Sequence, residues 1–370
     1  MMKIDNKITS GQLMAIIVNT IIGVGILSLP RDLVEALKTD GWILVLISGL
    51  LAIGSVTLIT ILVMKYPGKT VTEFGRNLIT TPISDFCSIL FLIYLLIFSA
   101  FVVRIFGEIV KMYLLRNTPI EFIIITMLIT VAYIARAGIE AIGKFCVLVL
   151  PIVVIPIFFM GFVLLPELDF SNLLPVFKFK ITDLLKGIPS TVFSFAGFEV
   201  ILLFNAFVER PKKTLKYNLI GMVLIIFVYL FVFLISVMVF GVIETTHLIW
   251  PSMSLMEVIQ FPGAFLENVQ GVVMAQWVVL VFSTLAPLIY GSALIFDKLF
   301  RGNEHKYYVF PLMPIIFVLA LVPDNIATAY DYIGKSTNIL GTFVILVLPL
   351  LLLVVSLFKK NNKKGAVKNG

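Results

Sequence analysis

Two short stretches carry the residues whose types and spacing could do chemistry. The first reads Ile17-Val18-Asn19-Thr20-Ile21-Ile22-Gly23-Val24-Gly25-Ile26-Leu27-Ser28-Leu29-Pro30, the second Ser194-Phe195-Ala196-Gly197-Phe198-Glu199. Each sits inside an apolar window of about 20 residues, the length that crosses the hydrocarbon of a bilayer. A glycine lowers helix stability by about 1 kcal/mol relative to alanine. Unwound backbone at membrane depth is tolerated only where protein encloses it or it lines a wet cavity. Unwinding frees N–H groups at the start of the second half-helix, which attract a carboxylate, and carbonyls at the end of the first, which attract a cation. The chemistry on offer is therefore binding. Gly23, Val24 and Gly25, with Ala196, Gly197, Phe198 and Glu199, are the candidate ligand contacts. Close helix packing through small residues is the other use of a G-x-G pair, and spacing alone leaves both open. Glu199 falls near mid-membrane, where a charge is expensive, so it is expected to be protonated, paired or facing water.

Other polar residues inside apolar windows form a second tier. Arg104 and Glu108 are four apart, on one helix face, and can pair. They either orient their helix or line an ion or water pathway. Ser283 and Thr284 could offer hydroxyls to a cation, although hydroxyls in membrane helices often bond their own backbone instead. Asn19 and Thr20, before the first break, and Asn205, beyond the second, are expected to satisfy freed backbone groups. Covalent chemistry has no foothold. The two histidines, His247 and His305, fall in predicted loops, and Cys87 and Cys146 have no metal-ligand spacing. There is no H-E-x-x-H, G-x-S-x-G or P-loop. No enzyme activity, cofactor or metal is expected.

The elements that must position these residues are membrane helices. The chain has 370 residues, 60% hydrophobic and 13% charged, with mean hydropathy +1.10. A soluble domain carries roughly 25% charged residues. Ten spans are predicted, giving an all-α polytopic membrane protein: Gln12–Ala36, Trp42–Met64, Ile83–Met112, Ile120–Ile134, Ala141–Leu165, Leu184–Phe207, Asn218–Phe240, Val269–Phe296, Tyr308–Val322 and Ile339–Phe358. With the N-terminus inside, inner segments hold about 19 Lys and Arg and outer segments about 7, so both termini are predicted cytoplasmic. The net charge of +7 is then a matter of topology, and nucleic acid is not an expected partner. Spans 1 and 6, each the first of five, are both predicted to be broken at mid-membrane. That is the signature of a 5+5 inverted repeat, residues 1–165 and 184–358, followed by a basic tail, 359–370. The outer segment Glu244–Asn268 reads as a short helix at the membrane surface or a lid.

These residues resemble a known family. The G-V-G-I-L-S-L-P of Gly23–Pro30, Tyr66-Pro67-Gly68-Lys69-Thr70, Ser194–Glu199, Trp250-Pro251 and Pro262-Gly263-Ala264-Phe265-Leu266-Glu267 occur in the order found in spore germination B-subunit permeases of the amino acid–polyamine–organocation superfamily. One departure is Glu267-Asn268, where that family is expected to have Glu-Arg. The resemblance implies a LeuT-like fold in a bacterial spore inner membrane. It implies a sensor of a small nutrient, an amino acid or similar, working beside a germinant-receptor A subunit and a lipoprotein C subunit, with membrane lipid around it. It implies ligand contacts at Gly23, Gly25 and Ala196–Glu199, with Arg104, Glu108 and Tyr290 on the third and eighth spans. A coupled amino acid transporter and a structural subunit with an inactive pocket are the rival readings.

Overall fold

The computed structural model describes residues 7–258, 269–302 and 304–366. The Pro262–Glu267 motif and the Glu267-Asn268 departure lie outside them. The described chain is helical, with one isolated bridge between Ile8 and Val208. Helix α1 spans Ser10–Leu37, α2 Gly41–Met64, α3 Val71–Leu78, α4 Thr81–Tyr113, α5 Ile120–Ala137 and α6 Ile139–Val163. The second half follows with α7 Ile181–Phe193, α8 Ile201–Phe204, α9 Thr214–His247, α10 Pro251–Val258, α11 Val269–Leu299, α12 Lys306–Leu321, α13 Ile326–Ser336 and α14 Leu348–Ala366.

Among the described residues, seven helical runs are long and apolar enough to cross a membrane, the first covering α1 and α2 together. An eighth is the pair Ile181–Phe193 and Phe198–Phe207, bent by 50° at its break. Helix α12, with 16 residues, is a shorter apolar helix.

Local sequence explains the helix ends. Thr9 and Gln12 form a capping box: the Gln12 N–H donates to Thr9 Oγ1 at 3.2 Å, and the Thr9 N–H donates to Gln12 Oε1 at 2.7 Å. Thr70 and Glu73 repeat the device at α3. In the turn between α1 and α2, buried Asp40 accepts the N–H groups of Phe177 and Lys178 at 2.7 and 2.8 Å, which fixes the linker that leads into α7.

Helix α1 is the centre of the bundle. It packs against α6, α7, α9 and α11, and 19 of its 28 residues are buried. One expectation is corrected here: α1 is a continuous helix through Gly23 and Gly25, whereas Ile181–Phe193 and Phe198–Phe207 meet at a 50° bend. No side-chain acceptor for a freed N–H is recorded near Gly23 and Gly25 among the described residues, and the polar side chains that reach α1 there are donors to its carbonyls. Thr284 Oγ1 donates to Asn19 O at 2.8 Å, Trp277 Nε1 to Gly23 O at 3.3 Å and Ser252 Oγ to Ile26 O at 2.7 Å. The Ile26 carbonyl needs that donor, because Pro30, four residues on, has no N–H to give it. The glycines serve packing instead. A Cβ on Gly23 would lie 2.0 Å from Thr284 Oγ1, and one on Gly25 would lie 2.8 Å from the Ser194 carbonyl oxygen.

Candidate ligand-binding cavity

The break in the sixth span is built by its sequence. After α7, the N–H groups of Ser194, Phe195 and Ala196 turn to the carbonyls three residues back, at 2.9–3.1 Å. Gly197 then takes φ +126°, a conformation that side chains rarely adopt. The Gly197 N–H donates to Glu199 Oε2 at 2.7 Å, and Tyr94 Oη donates to Glu199 Oε1 at 2.9 Å. Glu199 is 0% exposed. Tyr229 joins the break to α1: its hydroxyl lies 2.8 Å from Ser194 O and 3.0 Å from Ile21 O, its single proton shared between them.

A cavity of about 500 Å³ opens beside this junction. One face is α1, with Thr20, Ile21, Val24, Gly25, Ser28 and Asp32. The opposite wall is α7 and the break, with Lys186, Ser190, Phe193, Ser194 and Ala196. Phe98, Phe101 and Val102 of α4 close one side, Thr284 of α11 and Tyr330 of α13 the others. The volume is that of a small-molecule site. Aromatic and aliphatic surface covers much of it, and hydroxyls of Thr20, Ser28, Ser190, Thr284 and Tyr330 punctuate it. Ser28 Oγ donates to Asp32 Oδ2 at 3.1 Å, and Trp250 Nε1 donates to Tyr330 Oη at 3.0 Å. Asp32 and Lys186 bring opposite charges to the same space. Such a lining can hold a small solute with an apolar body and polar ends. Among the described residues no group of three or more His, Cys, Asp or Glu could hold a metal ion.

Of the residues singled out in the sequence, Thr20, Val24, Gly25, Ala196 and Thr284 line this cavity. Gly23 lies against Thr284, at the contact of α1 with α11. Gly197, Phe198 and Glu199 are behind the break, and Glu199 is paired there. Ser283 donates to Leu280 O at 2.7 Å, inside its own helix. Tyr290 packs against Phe204, Phe207 and His305, away from the cavity. Arg104 and Glu108 form an ion pair at 2.8 Å, with Arg104 also donating to Ala320 O at 3.2 Å. Arg104 borders a separate cavity of about 200 Å³ between α4, the end of α12 and α13. Phe101 and Ile333 are shared by the walls of both cavities. The sequence reading missed Ser28, Asp32, Phe98, Phe101, Lys186, Phe193 and Tyr330. An acid one helical turn beyond Ser28 was the available signal.

The architecture recurs in solved transporters. MhsT in complex with L-phenylalanine matches with a TM-score of 0.70, 12% identity, and coverage of 95% of this chain and 99% of that one. A Na+-coupled sialic acid symporter matches at 0.69, with 11% identity over 94% of this chain and 79% of that one. Mhp1, a nucleobase-cation-symport-1 family transporter, matches at 0.63, with 12% identity over 92% and 78%. These likenesses establish the fold, that of the LeuT-like transporters. In sequence, the chain is 30% identical over 363 residues to spore germination protein YndE of Bacillus subtilis (strain 168), covering 97% of this chain and 99% of that relative. It is 27% identical to spore germination protein GerLB of Bacillus cereus, covering 97% and 96%. The spore germination protein family model matches residues 7–329, and the chain belongs to that family of membrane permeases.

Proposed function

We propose that this chain is the nutrient-sensing membrane subunit of a germinant receptor, and that its ligand, an amino acid or similar small solute, binds in the cavity between α1 and the broken sixth span. The observation that carries this reading is the 500 Å³ cavity itself, which meets the helix break at Ser194 and Ala196. The ten passes are α1, α2, α4, α5, α6, the bent pair, α9, α11, α12 and the α13–α14 run, in two inverted halves, 1–165 and 184–358. The charge bias puts both termini in the cytoplasm and opens the cavity outward. The ligand acts by differential affinity: it binds one conformation better and shifts the population toward it. The shift passes to an A subunit and a lipoprotein C subunit in the spore inner membrane. No covalent step is involved, and the chain is not an enzyme.

The test is thermal unfolding of the purified protein against amino acids, nucleosides and sugars. A ligand that binds the folded state raises the melting temperature in proportion to the logarithm of its excess over Kd. At least one amino acid is expected to do so, and Ser190→Leu, an exposed position on the cavity wall, to abolish the effect without unfolding the protein. No shift with any solute would defeat the reading. The shared transporter fold supports one rival, coupled transport of the same solute. Accumulation of radiolabelled ligand in proteoliposomes would favour that rival, and binding without accumulation the sensor.

A further inference from the structure

The opposite end of the bundle, where α1 begins, holds a second group of polar side chains that shares no residue with the cavity. Asp297, in the last turn of α11, is 5% exposed, and its Oδ1 is buried without a hydrogen-bond partner among the described residues. His305, just before α12, hydrogen-bonds through its other ring nitrogen to the Ala135 backbone of α5. Its Nε2 is also buried and unpartnered. Tyr290, seven residues before Asp297 and so on the same face of α11, meets the His305 ring edge-on at 4.8 Å. Tyr308 Oη and Asp297 Oδ1 each lie 2.5 Å from where a Cβ on Gly302 would stand. The missing side chain of Gly302 keeps that space open.

The surrounding charges are already engaged. Lys298, next to Asp297, is paired with Glu73 of α3 at 3.0 Å. Lys306 is paired with Glu304. Arg136 of α5 stacks over the Phe310 ring at 4.6 Å. No cation forms a salt bridge to Asp297 among the described residues. The cluster therefore presents two buried acceptor atoms and no donor for either, an unfavourable arrangement at low dielectric. The smallest ligand that corrects it is a proton. A proton on the carboxylate removes the buried charge and turns one acceptor into a donor.

We propose that Asp297 and His305 form a proton-binding site that is loaded while this end of the bundle is closed. An O–H bond forms on the Asp297 carboxylate from hydronium in the water, and on opening the proton returns to water. Burial lowers the basicity of His305, which keeps its ring neutral as an acceptor. The site ties four parts of the bundle together: α5 through Ala135, α11, α12, and the second half of the broken span, because Tyr290 packs on Phe204 and Phe207 at 5.6 and 6.3 Å. Loading therefore favours the arrangement in which these parts are packed together.

Thermal unfolding of the purified full chain between about pH 5.5 and pH 8, with infrared spectra over the same range, tests this. A folded state that binds more protons than the unfolded one gains stability as pH falls. A carboxyl loaded in the folded state contributes a rise in melting temperature toward low pH, whereas His305, less basic folded than unfolded, contributes a fall below its unfolded pKa, so the Asp297 part is read as the wild-type profile minus that of Asp297→Asn. Asp297→Asn, which mimics the loaded carboxyl, should flatten that rise and remove one carboxylic-acid C=O band. The exposed control Asp331→Asn should keep both. An unchanged pH profile and unchanged spectrum in Asp297→Asn would overturn the proposal. So would a rise in melting temperature with sodium at fixed high pH that equals the effect of acid. Should Asp297→Asn fail to fold, His305→Gln decides: a displaced midpoint of the pH profile supports the site, and an unmoved one refutes it.

Discussion

Two glycine-bearing segments face each other at the centre of this protein, and only one of them is broken. Gly23 and Gly25 sit in a helix that runs on from Ser10 to Leu37. Gly197 ends a turn that bends the sixth span by 50°. The segments touch, since a Cβ on Gly25 would meet the Ser194 carbonyl at 2.8 Å. The difference lies in what surrounds each one. At Gly197 the positive φ is matched by a carboxylate that returns to take the freed N–H, itself held by Tyr94. Around Gly23 and Gly25, side chains from α9, α10 and α11 reach in to the carbonyls and leave the helix intact. Glycine permits a break, and an acceptor for the released N–H produces it; the side chains around Gly23 and Gly25 offer only donors.

The largest way to sharpen that contrast is Gly197→Val. It places a branched side chain at φ +126° and against Thr20 and Ile21, and should cost about 3 kcal/mol in thermal unfolding. Gly54→Val, with nothing within 4 Å, should stay within about 0.5 kcal/mol. Next comes Glu199→Ala, which strips the acceptor from the Gly197 N–H and the Tyr94 hydroxyl and should cost about 2–3 kcal/mol. In a cycle with Tyr94→Phe, the two losses should be less than additive. Gly25→Ala follows: a methyl pressed on backbone that cannot rotate away should cost about 2 kcal/mol and weaken ligand binding. If it cost more than Gly197→Val, the contrast would be reversed. Smallest is Tyr229→Phe, which removes the hydroxyl between Ile21 and Ser194 and should cost about 1 kcal/mol.

The same contrast explains what the sequence revealed. Ala196-Gly197 followed by an acid two residues later carried both halves of a break, the weak point and its acceptor. The Gly23-Val24-Gly25 pair carried only the weak point, and the donors that cover its neighbourhood come from residues more than 200 positions away. Tyr290 was placed by analogy at the ligand. Six residues from Thr284, however, it points about 240° around the helix, toward the other end cluster. Tyr330 was missed because Asp331 and Lys335 interrupt the hydropathy of the last span. They pair with each other at 2.6 Å, and the helix begins at Ile326, ahead of the predicted Ile339. Asp32 and Lys186 lie toward span ends, where charges ordinarily mark the water boundary, so nothing local separated them from rim residues. Phe98, Phe101 and Phe193 were indistinguishable among 32 phenylalanines.

An unbroken α1 has a mechanical consequence. Its 28 residues make a rod about 42 Å long. Its far portion borders the cavity through Ser28 and Asp32, while just ahead of its first turn Ile8 is stitched to Phe207 and Glu209 by two backbone hydrogen bonds at 3.0 Å. Near the middle, the Tyr229 hydroxyl acts as a pivot. A hinged helix would absorb a push at one end. A stiff lever turns the same push into an opposite swing at the other, carrying the segment beyond the broken span along with it.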